Sequence, residues 1–157
     1  MPKGYTIYGE IVGFTPTGKE IQPQYDYGCA HLSHKFLVYR ITFTNIDGNV
    51  FELSTPQINA FCEKQGLTPV KLFYYGRAGD FDQTLDENYN WNENFIKKLE
   101  EMFTEKKCEI CFNDVIEEGV VIRKENHPFS FEAYKLKSFG FMEYESMQLD
   151  KNVENLE

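Results

Sequence analysis

Residues 117–138, EEGVVIRKENHPFSFEAYKLKS, leave few options for the local fold. Two arms rich in β-formers, Gly119-Val-Val-Ile-Arg-Lys and Phe131-Glu-Ala-Tyr-Lys-Leu-Lys, flank the turn formers Asn126, His127 and Pro128. This pattern predicts a β-hairpin. Side chains alternate along a strand, so Lys135 and Lys137 share one face and Leu136 takes the other. The first arm begins at the Glu118 carboxylate and carries Arg123 further along. One acid and several bases at a hairpin edge suit a metal-bound polyphosphate. Arg and Lys give charge and donors to phosphate oxygens, while a carboxylate suits Mg²⁺. The same charges also serve a plain solvated hairpin, where strand lysines discourage aggregation.

The rest of the chain alternates strand and helix signals, an α+β pattern. Residues 5–14, YTIYGEIVGF, read as a strand, and 15–33 as a long loop punctuated by Gly and Pro. Phe36–Thr44 and Asn49–Leu53 flank Asp47-Gly48, a pair that accepts positive φ in a tight hairpin turn. Thr55 is placed to cap a helix with Pro56 at its first position and Gly66 past its end. Ile58, Phe61 and Cys62 lie on its apolar face. Val70–Tyr75 reads as a short strand, 76–90 as an acidic loop, and 91–107 as an amphipathic helix. That helix turns Trp91, Phe95, Leu99, Met102 and Phe103 inward.

A chain of 157 residues with 41% hydrophobic content buries one core, so one domain is the natural count. Nothing approaches the roughly 20 apolar residues of a membrane-spanning helix. Four cysteines do not suggest a secreted disulfide scaffold, so a cytoplasmic setting is expected. The net charge of −9 argues against a free-standing nucleic-acid binder, which is usually basic.

The wording of the segments says more than their spacing. Glu118-Gly-Val-Val-Ile-Arg123 and Tyr134-Lys-Leu-Lys-Ser138 resemble motifs IV and V of the covalent nucleotidyltransferases. The closest look is to the ATP-dependent RNA ligases. Tyr5-Thr-Ile-Tyr-Gly-Glu-Ile-Val-Gly13 looks like motif III and Phe36-Leu-Val-Tyr-Arg-Ile41 like motif IIIa, all in the family's order. The resemblance implies antiparallel sheets around a nucleotide cleft with flanking helices. An incomplete nucleotidyltransferase domain would cover residues 1–147, followed by an acidic tail, 148–157, expected to be disordered. Motif I, Lys-x-Asp-Gly, supplies the family's nucleophilic lysine and lies upstream of motif III. Lys19 and Lys64 stand near glycines but lack that pattern. The chain is therefore expected to be the C-terminal part of a longer ligase, with motif I on a preceding segment, or else a truncated gene product.

The implied chemistry moves AMP from ATP to a lysine, then to an RNA 5′-phosphate, which a 3′-hydroxyl finally attacks. Such transfers depend on positioning and charge neutralisation. By resemblance, Glu118 would hold Mg²⁺ (or Mn²⁺), and Lys135 and Lys137 would touch the α-phosphate. Arg123 takes a basic position suited to a phosphate. Glu10 would bond the ribose, and Tyr39 would stack on adenine. Where many ligases have Asp after this aromatic, the chain has Arg40, which is left without a role. ATP or AMP and RNA ends are the expected ligands, without a membrane. DNA ligases and capping enzymes compete for the same resemblance, as does a binding-only remnant of the fold.

Cys108-Glu-Ile-Cys111 and Cys29-x-His31-x₂-His34 are ligand-rich. A structural Zn²⁺ needs four ligands, so these pairs would have to meet. Otherwise the thiols are ordinary core groups, and His31 and His34 are free to line the cleft.

Overall fold

A computed structural model describes residues 2–82, 90–127 and 130–150. In chain order the elements are β1 (Tyr5–Gly13), β2 (His34–Thr44), β3 (Val50–Glu52), α1 (Thr55–Gln65) and β4 (Thr68–Pro69). A 3₁₀ turn at Ala78–Asp80 follows, then α2 (Trp91–Phe103), β5 (Gly119–His127), β6 (Ser130–Lys137) and α3 (Phe139–Asp150). The class is α+β, with antiparallel sheets and three helices among the described residues.

In the larger sheet β2 is central. β1 lies antiparallel on one side, while β3 (antiparallel) and β4 (parallel) share the other edge. Val38 and Ile41 are fully buried against Ile58 and Cys62 of α1. Each such aliphatic contributes about 1.5–3 kcal/mol by leaving water. Yet two positions three apart cannot share a face of a regular strand. The register shift between Tyr8 and Gly9 resolves this: Arg40 faces Tyr8, Val38 faces Gly9, and Tyr39 is the extra residue of a β-bulge. Counted outward from Val38, Tyr39 points away from α1. Counted from Ile41, so does Arg40. The bulge thus turns two consecutive side chains to the face opposite the helix.

That face meets the hairpin. Arg123 of β5 donates to the Leu53 carbonyl at 2.7 Å and the Tyr39 carbonyl at 3.4 Å, and pairs with Glu125 at 2.7 Å. Glu125 accepts from the Thr55 backbone N–H (2.9 Å) and hydroxyl (2.8 Å) at the start of α1. Phe131 of β6 lies under the Arg123 guanidinium, 4.0 Å from its carbon, with Arg40 at 5.5 Å. The two sheets are thereby latched across a cleft.

Several local expectations shift. The N-cap of α1 is Ser54, one residue before Thr55. Gln57 closes a capping box, and Gly66 ends the helix in the left-handed region. Residues 70–75 form no strand, because Leu53 N–H bonds the Ile41 carbonyl and Arg123 the Tyr39 carbonyl. The β2 edge is thus occupied beyond Val38. α2 stops at Phe103, where Glu105 takes positive φ, and Met102 is exposed while Leu99 is buried. α3 is an additional element. Glu105 accepts from the N–H groups of Phe139 and Gly140 at its start, and it runs to Asp150, into the expected tail. Part of the acidic loop, 83–89, the hairpin tip at 128–129, and 151–157 lie outside the described residues.

Loop 15–33 is packed and hydrogen-bonded. Asp26, 3% exposed, accepts from the backbone N–H groups of Gly28 (2.7 Å), Phe112 (2.9 Å) and Asn113 (3.0 Å). Burial alone would raise its pKa, but these bonds and the Lys35 charge outweigh that and hold it below the ordinary carboxylate value. Tyr25 donates to the Ile116 carbonyl at 2.7 Å and packs edge-on against Phe141 of α3. Removing the Asp26 acceptor strands three donors. Asp26→Ala should cost about 2–4 kcal/mol in a urea melt. A folded pKa below the unfolded value contributes stability above the unfolded pKa and loses it as pH falls through the folded one. The wild type should therefore lose more stability than Asp26→Ala on acidification below about pH 4. Parallel acid limbs would contradict the assignment.

Candidate functional site

The larger sheet and the hairpin that Arg123 ties to it both carry residues singled out from the sequence. On the larger sheet Glu10, opposite Leu37, alternates with Gly9, the partner of buried Val38, and is exposed, and Tyr39 is 44% exposed at the bulge. On the hairpin, Gly119, Val121 and Arg123 lie opposite Lys137, Lys135 and Ala133, so Arg123, Lys135 and Lys137 share one face. Arg123 makes its bonds to the larger sheet from that face. Lys135 is exposed with no ion-pair partner among the described residues. Lys137 is half-buried; its ammonium bonds Glu145 of α3 at 2.6 Å and lies 5.2 Å from the Phe141 ring centre.

Arg123 is committed. Its side chain is 14% exposed, and its guanidinium serves two carbonyls, one carboxylate and one ring. Burial lowers its pKa, countered by Glu125 and Glu52. Arg40 also finds a role: it forms an ion pair with Glu52 of β3 and lies 4.6 Å from the Tyr8 ring centre. The hydrogen bonds and charge of Glu52 more than offset burial and raise the Arg40 pKa.

Glu118 sits where the chain enters β5. Its Oε1 accepts from Gln22 Nε2 at 2.9 Å and from the Tyr27 hydroxyl. Tyr27 also bonds the Gln22 amide oxygen, so its single proton is shared between two acceptors. Gln22 and Tyr27 wall a cavity of about 440 Å³ that Glu10, Ile11, Val12 and His34 also line. Glu10 and the Glu118 support therefore meet at one concave site. Neither Gln22 nor Tyr27 stands in a recognisable motif. The only hint is a dense run of polar and aromatic residues, Gln22–Tyr27, inside a segment that otherwise reads as loop.

Glu117 next door points elsewhere. Burial, with the neighbouring Cys108, pushes its carboxyl up to about 7. Cys108 and Cys111 lie in one core with Tyr25 and Phe141. A hydrogen bond from the Cys111 thiol, with backbone donors, lowers the Cys108 pKa against the effect of burial, and the same bond raises that of Cys111. The second ligand-rich patch does not join them. Cys29 Sγ lies 3.7 Å from the Val12 carbonyl, and His31 packs edge-on to Phe14. Among the described residues no three His, Cys, Asp or Glu side chains could hold one ion, so the cysteines do not fit the Zn²⁺ expectation.

No helix among the described residues is long and apolar enough to cross a membrane. No curated protein and no solved structure matches the chain at a significant level. A family model described as RNA ligase matches residues 2–137, the whole span from before β1 to the end of β6. The chain belongs to the RNA ligase family.

Proposed function

We propose that the chain carries the nucleotide and metal-binding side of an ATP-dependent RNA ligase that joins 3′-hydroxyl and 5′-phosphate ends. What supports the reading is placement: Glu10 lines a cavity whose wall, Gln22 and Tyr27, holds Glu118, while Tyr39 and Lys135 are exposed on the sheet and the hairpin that Arg123 ties together. Tyr39 offers a ring for adenine and Glu10 an acceptor for ribose hydroxyls. Lys135 holds negative charge at the α-phosphate. Lys137 joins it by exchanging Glu145 for phosphate. Arg123 latches the cleft in this reading and does not bind phosphate itself.

A divalent cation fits Glu118, because Oε1 is engaged while Oε2 accepts no hydrogen bond among the described residues. Mg²⁺ keeps several waters and binds through one or two carboxylates plus substrate phosphates, so a single protein ligand suffices. Bound there, it would neutralise charge on the transferring phosphate.

The 157 residues contain no Lys-x-Asp-Gly sequence, which favours binding without self-adenylylation by this chain alone. Incubated with labelled ATP and Mg²⁺, it should form no acid-labile AMP adduct, since the nucleophile of a phosphoramidate is lacking. An adduct mapped to any of its lysines would refute this. Calorimetric titration should show ATP binding. Tyr39→Ala should weaken it by about 1–3 kcal/mol, roughly 5- to 150-fold, as expected for a lost base stack. Equal affinity in both proteins would place the base elsewhere.

A further inference from the structure

We propose that Gln22 and Tyr27 are positioning residues that hold Glu118 in one orientation and leave Oε2 as a single-oxygen ligand for a divalent cation. This rests on the reading of Glu118 as the cation's ligand and adds how the carboxylate is made ready for it.

Gln22 and Tyr27 act on the same oxygen. With Oε1 accepting from the Gln22 amide and the Tyr27 hydroxyl, the carboxylate cannot rotate without losing both bonds. One oxygen remains to reach an ion, a denticity that suits a small octahedral cation better than a larger one taking both oxygens. Outer groups that orient a ligand in this way commonly contribute 10- to 100-fold to metal affinity.

The donors are themselves held. Tyr25 N–H bonds the Gln22 carbonyl at 3.1 Å, closing a turn between them. Tyr144 of α3 donates to the Pro23 carbonyl at 2.7 Å, and Asn113 Nδ2 to the Gln24 carbonyl at 2.9 Å. Lys35 Nζ donates to the carbonyls of Tyr27 (3.3 Å) and Gly28 (2.8 Å). Asp26 anchors the same turn.

The backbone is bent into unusual shape to do this. Gln24 (φ 66°), Tyr27 (φ 49°) and Gly28 (φ 65°) lie in the left-handed region. For a bulky residue such as Tyr27 that costs roughly 1–3 kcal/mol and persists only when surroundings over-determine it. Packing alone would not require the hydroxyl, because the Tyr27 ring already contacts Tyr25 at 5.9 Å. Gln22 is 8% exposed, and burying its amide is costly unless it is hydrogen-bonded, as it is here by Glu118 and Tyr27.

The test is a Mn²⁺ titration of the full 157-residue chain in the presence of ATP, followed by electron paramagnetic resonance of the free ion. Wild type, Glu118→Gln, Tyr27→Phe and Gln22→Leu would be compared. Metal-free ATP affinity and the melting temperature serve as controls. Glu118→Gln should lose most Mn²⁺ affinity. Tyr27→Phe and Gln22→Leu should each lose about 10-fold, with metal-free ATP binding unchanged. If Glu118→Gln binds Mn²⁺ as the wild type does, the reading of Glu118 as ligand fails. If only Glu118→Gln is impaired, Glu118 stands and the positioning role fails. A weakening matched by equal loss of metal-free ATP affinity also overturns the positioning role, since it reports general disorder.

Discussion

The buried Asp26 carboxylate gathers backbone donors from Gly28, two residues on, and from Phe112 and Asn113, 86 and 87 residues on. That one group joins the loop after β1 to the strap before β5, and everything at the base of the hairpin inherits its placement from it. Tyr25 on one side reaches the Ile116 carbonyl. Tyr27 on the other reaches Glu118. A buried charge is tolerable only with such complete pairing, and here the pairing doubles as the joint between the two sheets.

At the other end of the cleft the joint is ionic and aromatic. Arg40 pairs with Glu52 within the sheet and Arg123 with Glu125 within the hairpin. The crossings run from Arg123 to the Tyr39 and Leu53 carbonyls, from Glu125 to the first turn of α1, and from Arg40 to the Phe131 ring. Partly buried pairs of this kind contribute little net stability, since desolvation offsets their attraction. Their value lies in geometry: each holds its side chains where they can reach the opposite element. Lys135 stands outside these ties, exposed and with no ion-pair partner among the described residues.

Local patterns were legible in the sequence and long-range ones were not. The hairpin at 119–137, the Asp47-Gly48 turn and the Ile58/Cys62 face of α1 are each written in one short continuous stretch, so alternation and turn chemistry suffice to find them. The family resemblance named Glu10, Tyr39, Glu118 and the two lysines as candidates. It could not place Arg123 as a latch, because that depends on carbonyls of Tyr39 and Leu53 that no local rule brings near. Residues 70–75 have strand composition but no free edge. α3 lacks a stripe, its Phe139, Phe141, Met142 and Tyr144 being spread around the helix. Gln22 and Tyr27 carry no more than the hint of a polar and aromatic run, since their partner lies 96 and 91 residues away.

Those separations also set an order of assembly. β5 and β6 meet across a short turn, an event of microseconds. The Glu118 seat needs closure of a loop of some ninety residues, whose entropic cost exceeds that of a ten-residue loop by about 2 kcal/mol. The carboxylate is therefore delivered early on its strand and receives its donors late, when the chain's two ends of the domain dock. The orientation of Glu118 becomes a readout of completed folding: a chain with the hairpin formed but the docking unfinished presents a carboxylate free to rotate.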